Sequence, residues 1–196
     1  MPKGIFCLED NWWNDPTKPC SVEPVLELLR NWSPYHVPYA HRNVESHGGL
    51  FEYLAKWKQK RYSKFPILHL AFHGNAQCLI IGDRRVRDNV VTFEELEDAL
   101  AGACNKRIIH FSGCNVLEVH GKRINSFLKR TGALAVTGFT KYVDWLDSAA
   151  FEPLVFGSMQ ENPFTRSGAK AIAANICTRS GGLAKRLGFK MVIRPK

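Results

Sequence analysis

No apolar run of roughly 18 residues or more occurs in this chain, and its start, Met1-Pro-Lys-Gly-Ile-Phe-Cys7, lacks the hydrophobic stretch of a secretory signal. These absences argue against a membrane helix and lead us to expect a cytoplasmic protein. No Cys-x-x-Cys pair joins any of the six cysteines (Cys7, Cys20, Cys78, Cys104, Cys114 and Cys177), so in a reducing compartment they are expected to be free thiols. Neither a Gly-x-x-x-x-Gly-Lys-Ser/Thr loop nor a Gly-x-Gly-x-x-Gly fingerprint is present, which removes the usual signatures of a nucleotide hydrolase.

What is present suits one domain spanning residues 1–196. At 45% hydrophobic and 11% aromatic, the chain can bury a core without staples. Its net charge of +9 comes from 27 basic and 18 acidic residues. The basic residues concentrate at 56–64, at Arg84, Arg85 and Arg87, at 122–130 and beyond Arg179. Most fall on faces of predicted helices, where solvation explains them, so nucleic acid is not the expected partner. The same charge favours an anionic small ligand or an acidic protein substrate.

Strand and helix patterns alternate along the chain. Strands are predicted at Ile5–Leu8, His36–Val44, Phe65–Phe72, Arg107–Phe111, Ala133–Phe139 and Phe189–Ile193, with a short run at Cys78–Ile81 that pairs as a hairpin or crosses beside its predecessor. Helices are expected at Ser21–Trp32, Gly49–Tyr62, from Thr92 with a Thr92/Glu95 capping box, at Gly121–Arg130, and at Ser148–Met159, where Pro153 kinks or shortens the helix. Two tail helices each follow a Thr-Arg-Ser-Gly run (165–168 and 178–181), read chiefly as caps and alternatively as anion sites. Helices between strands imply right-handed crossovers, hence an α/β fold: a mainly parallel sheet covered by helices on both faces.

Two buried strand patterns end in chemically suggestive residues, Phe72-His73-Gly74 and Ser112-Gly113-Cys114. Both are expected at the carboxyl edge of one sheet, where open α/β folds place their sites. A thiol beside an imidazole there makes a cysteine nucleophile, with Cys114 attacking and His73 as base. Gly74 and Gly113 would let a substrate backbone approach, and the N–H groups of Gly74 and Cys114 would face an oxyanion. The plain alternative makes His73 a hydrogen-bonded turn residue and Cys114 a small buried side chain. A metal site is not expected from His69, His73, His110 and Cys114, because four residues along a strand span about 13 Å. His69 and His110 are read instead as buried, hydrogen-bonded sheet residues. No cofactor is indicated.

The segments His69-Leu-Ala-Phe-His-Gly74, Ile108-Ile-His-Phe-Ser-Gly-Cys114 and Thr131-Gly-Ala-Leu-Ala-Val-Thr-Gly138, in this order, resemble the caspase-like cysteine peptidases: caspases, metacaspases, gingipains, separases and bacterial CHAT proteases. The likeness covers about residues 65–156. His73 and Cys114 lie 41 residues apart, against about 50 in caspases. Ser112-Gly113 replaces the caspase Gln-Ala, so aspartate specificity is not carried over. The resemblance implies an endopeptidase acting on a protein or peptide through a Cys114–His73 dyad. It places the first specificity pocket where this chain has Glu9, Asp10, Asp15, Asp144 and Asp147, with Asp10 and Asp144 favouring a basic P1 residue. In size the chain is similar to defence effectors switched on by cyclic-nucleotide or ADP-ribose-type signals. Trp12, Trp13, Arg84, Arg85 and Arg87 would then bind the signal by stacking and phosphate contact. A binding module with an inactive caspase-like fold and a basic nucleotide or nucleic-acid binder are the alternatives.

Overall fold

A computed structural model of the chain describes residues 1–12, 17–18, 20–82 and 89–195. Its main sheet has six strands in the order β2 (Tyr39–Asn43), β1 (Ile5–Glu9), β3 (Ile67–Ala71), β7 (Ile108–Phe111), β8 (Ala135–Phe139) and β9 (Phe189–Ile193). All neighbours run parallel except β9, which is antiparallel to β8. The architecture is α/β with a mainly parallel mixed sheet and, among the described residues, six α-helices.

The two-residue alternation of the strands sorts the core into two halves. Phe6, Leu8, Leu68, Leu70, Ile109 and Phe111 point to one face, with Leu50 and Leu54 of α2 (His47–Trp57), Leu96 and Leu100 of α3 (Phe93–Leu100), and Phe127 of α4 (Gly121–Thr131). Ile5, Cys7, Ile67, Ala71 and Ile108 point to the other. There they meet Leu26 of α1 (Glu23–Arg30), Phe151 and Val155 of α5 (Trp145–Glu161), and Ile172 of α6 (Arg166–Leu187). Leu28 of α1 points away from the core and is 61% exposed.

Local signals explain most boundaries. Thr92 and Glu95 form the reciprocal capping box of α3, and Thr165 caps α6 by accepting the Gly168 N–H at 3.1 Å. The second Thr-Arg-Ser-Gly run interrupts α6: Ser180 has φ −150° and ψ 30° between two helical stretches. Pro153 does not shorten α5, which continues through it to Glu161.

The path of the chain after β3 also departs from the sequence-based expectation. At Phe72 the chain leaves the main sheet, and β4 (His73–Asn75) pairs with β5 (Cys78–Ile80), which pairs with β6 (Val90–Thr92), in a separate antiparallel sheet. His73 therefore belongs to the small sheet, whereas Cys114 lies in the turn beyond β7 of the main sheet.

Candidate active site

The two sheets meet through glycine. A Cβ on Gly74 would lie 2.2 Å from Val116 Cγ2 and 2.8 Å from the Cys114 carbonyl oxygen; one on Gly113 would lie 2.7 Å from the Phe72 carbonyl and 3.1 Å from Gly74 Cα. These glycines let the histidine strand and the cysteine turn meet closely. Their close packing sets His73 and Cys114 on the wall of one cavity of about 310 Å³, with Trp12, Ser112, Val143, Asp144, Trp145 and Glu152.

Each side chain of the pair is held from behind. His73 Nε2 lies 2.5 Å from the Trp12 carbonyl oxygen. A carbonyl only accepts, so Nε2 carries the hydrogen and a neutral ring keeps its lone pair on Nδ1. Trp12 also meets the ring edge-on, with centroids 5.1 Å apart at 82°. The half-buried Cys114 faces the loop after β8: Sγ accepts the Val143 N–H at 3.4 Å and lies 3.8 Å from the Val143 carbonyl oxygen.

Behind Trp12 stands Glu9, 1% exposed. Its carboxylate accepts the Trp12 indole N–H, the Val22 N–H and the Ser21 hydroxyl, each at 2.7 Å, and lies 2.7 Å from His41 Nε2. Burial alone would push Glu9 up, but the hydrogen bonds from His41, Ser21, Trp12 and Val22 outweigh it and hold the carboxyl below its usual range. Glu9 therefore joins β1, β2, the start of α1 and the residue that orients His73.

A second buried group lies beneath the cavity. His69 and His110 are register partners on β3 and β7, and both point toward α5, where Glu152 meets them. The Ser112 hydroxyl donates to Glu152 Oε1 at 2.6 Å and lies 2.6 Å from His69 Nε2; His110 Nε2 is 3.2 Å from Glu152 Oε1. Burial drives His69 down to about 4, opposed by the Glu152 charge, so the ring is neutral at pH 7. Glu152 would be raised by burial, but the His110 hydrogen bond, the facing imidazoles and Ser112 hold it below its usual range, ionised. The argument from strand rise does not apply across neighbouring strands, where the ring centroids of His69 and His110 lie 5.3 Å apart.

Other expected site residues are placed differently. Asp10, 1% exposed, is not part of the cavity wall; its carboxylate accepts the Asn11 N–H at 2.7 Å and the Gly82 N–H at 2.6 Å. An acid just past a strand end satisfies local amides more readily than it reaches a pocket. Burial, first, raises its carboxyl above the usual range. Asp144 does line the cavity, but it also caps α5 by accepting the Leu146 and Asp147 N–H groups at 2.9 and 3.1 Å. Trp12 is half-buried rather than an exposed stacking platform, because Glu9 captures its indole N–H. Trp13, Asp15, Arg84, Arg85 and Arg87 lie outside the described residues.

A model of a family of unknown function, DUF6642, matches residues 2–193, nearly the whole chain. The chain belongs to this family. No curated protein matches it. For DUF6642, then, the chemistry of the site has to be argued from the residues themselves. Glu152 had a signal in the sequence: it is the only charged residue in the helical stretch 148–160. The pairing of His69 with His110 had none, since strand register is a tertiary property.

Proposed function

We infer that the chain is a caspase-like cysteine endopeptidase. One observation carries the reading: Cys114 and His73 line one cavity. In this mechanism Cys114 Sγ bonds to the peptide carbonyl carbon, its proton passing to His73. The oxyanion is met by the N–H groups of Gly74 and Cys114. The imidazolium protonates the departing amine as the C–N bond breaks, and water, deprotonated by His73, releases the acyl group from sulfur.

The cavity also supports a substrate class. Its walls are largely apolar, with Trp12, Val143 and Trp145, while the carboxylates of Asp144 and Glu152 supply negative charge. That combination favours an Arg or Lys P1 side chain, stem against the rings and cation toward the acids. Activation by a cyclic-nucleotide or ADP-ribose-type signal, in a cytoplasmic defence role, belongs to the same proposal and is supported by the motif resemblance and the net charge of +9.

The test is cleavage of a peptide library by the purified protein, with and without such nucleotides. Cleavage after basic residues that Cys114→Ala and His73→Ala abolish is the expected result. Activity that survives Cys114→Ala ends the mechanism; no cleavage and no labelling of Cys114 by an acylating inhibitor under any condition favours the inactive binding module.

A further inference from the structure

We propose that His69, His110 and Glu152 bind a divalent transition cation of the zinc class at the base of the cavity. The strands bring two imidazoles side by side, and α5 brings a carboxylate to both. The three donor groups lie within 4.8 Å of one another. His110 Nε2 is 3.2 Å from Glu152 Oε1, and His69 Nε2 is 3.7 Å from Glu152 Oε2. The two distances end on different oxygens of one carboxylate. A tetrahedral ion with arms of about 2.0–2.1 Å sets its ligands roughly 3.3 Å apart, so a donor cluster within 4.8 Å needs a modest contraction to close on one ion.

The outer contacts favour ligation. His110 Nδ1 lies 2.9 Å from Thr137 Oγ1. In the ion-bound tautomer the hydrogen would sit on Nδ1, donated to that hydroxyl in place of the Nε2–H that meets Glu152 here, and the Nε2 lone pair would face inward, as in metal-bound imidazoles. Since Ser112 donates to Glu152, its oxygen accepts from His69 Nε2–H here; His69 Nδ1 has no hydrogen-bond partner among the described residues, so the proton can move to Nδ1 when Nε2 takes an ion. All three residues are at most 1% exposed, so an ion held there would be shielded from solvent on the protein side.

Two imidazoles and one carboxylate are the donor set of open zinc sites, which keep a fourth position free. Here that position faces outward, because Glu152 and Ser112 both line the cavity that holds Cys114. An ion bound there neutralises the Glu152 charge in the cavity wall and displaces the Ser112 hydroxyl from one of its partners.

Cobalt(II) titration of the metal-stripped full chain tests the site without any peptidase assay. The expected result is saturation at one equivalent, ligand-field bands of a tetrahedral site with no sulfur-to-cobalt charge-transfer band, and zinc displacing cobalt. Cys114→Ala should give the same spectrum. His110→Gln and Glu152→Gln should each weaken binding by more than about tenfold, since loss of an outer contact alone costs 10–100-fold. Absence of saturable binding overturns the proposal, as does a charge-transfer band that vanishes in Cys114→Ala, or full affinity in Glu152→Gln. The wild-type and Cys114→Ala spectra suffice if the core variants fail to fold.

Discussion

Replacing Gly74 by alanine puts the contact between the two sheets under direct test. The new Cβ would sit 2.2 Å from Val116 Cγ2, whereas ordinary contact begins at 3.4 Å, so the strand bearing His73 must withdraw by about 1 Å. Val116 is fully buried and cannot swing aside cheaply, and the Cys114 carbonyl at 2.8 Å is backbone. Overpacking of this kind costs about 1–3 kcal/mol. The larger effect falls on reactivity, since about 1 Å of misplacement costs on the order of 100-fold. Urea unfolding reports the first quantity; the rate of Cys114 acylation by a peptide inhibitor, followed by mass spectrometry, reports the second. Adding Val116→Ala removes the side-chain clash and leaves the carbonyl clash, so the double variant should recover stability in part. A Gly74→Ala protein with wild-type stability and acylation rate would refute the contact and, with it, the shared cavity.

The metal-free protein should lose stability in mild acid through His69. Its folded pKa of about 4 lies below the ordinary 6.5, so between those values the unfolded chain takes a proton that the folded one refuses. Stability therefore falls as pH drops through that window, by about 3 kcal/mol at 1.36 kcal/mol per pH unit. Urea midpoints from pH 7 to 4 should slope less in His69→Gln, and equal slopes would rule the assignment out. Glu9→Ala should cost on the order of 3 kcal/mol or more at pH 7, because the Val22 and Trp12 donors lose their acceptor. The depressed Glu9 carboxyl contributes above its unfolded value of 4.5 and ceases to as pH falls through its folded value. The deficit of Glu9→Ala should accordingly shrink as pH falls below 4.5; a deficit unchanged in strong acid contradicts the network.

Much of the main sheet was legible because continuous apolar runs such as 67–71 and 108–111 can hardly be anything but strands buried on both faces. The predicted last strand, Phe189–Ile193, matches β9, and the capping box placed the start of α3. The small sheet was not legible: β6 is three residues long, and β4 follows β3 after a single residue, so no periodicity separates them. His73 and Cys114 could be singled out because each ends a buried run. Their supports could not, since Glu9, Trp12, His69, His110 and Glu152 act through contacts set by strand register and helix placement. Asp10 is the converse case: an acid in the right region of sequence whose carboxylate is engaged by neighbouring amides.

Helix α5 imposes a constraint of length rather than identity. Asp144 fixes its first turn at the mouth of the cavity, and Glu152, two turns on, reaches the paired imidazoles. One residue inserted or deleted between them rotates everything beyond by about 100°, carrying the carboxylate out of reach of both rings. Relatives that use this arrangement can therefore vary many side chains of the segment while keeping eight steps from cap to acid.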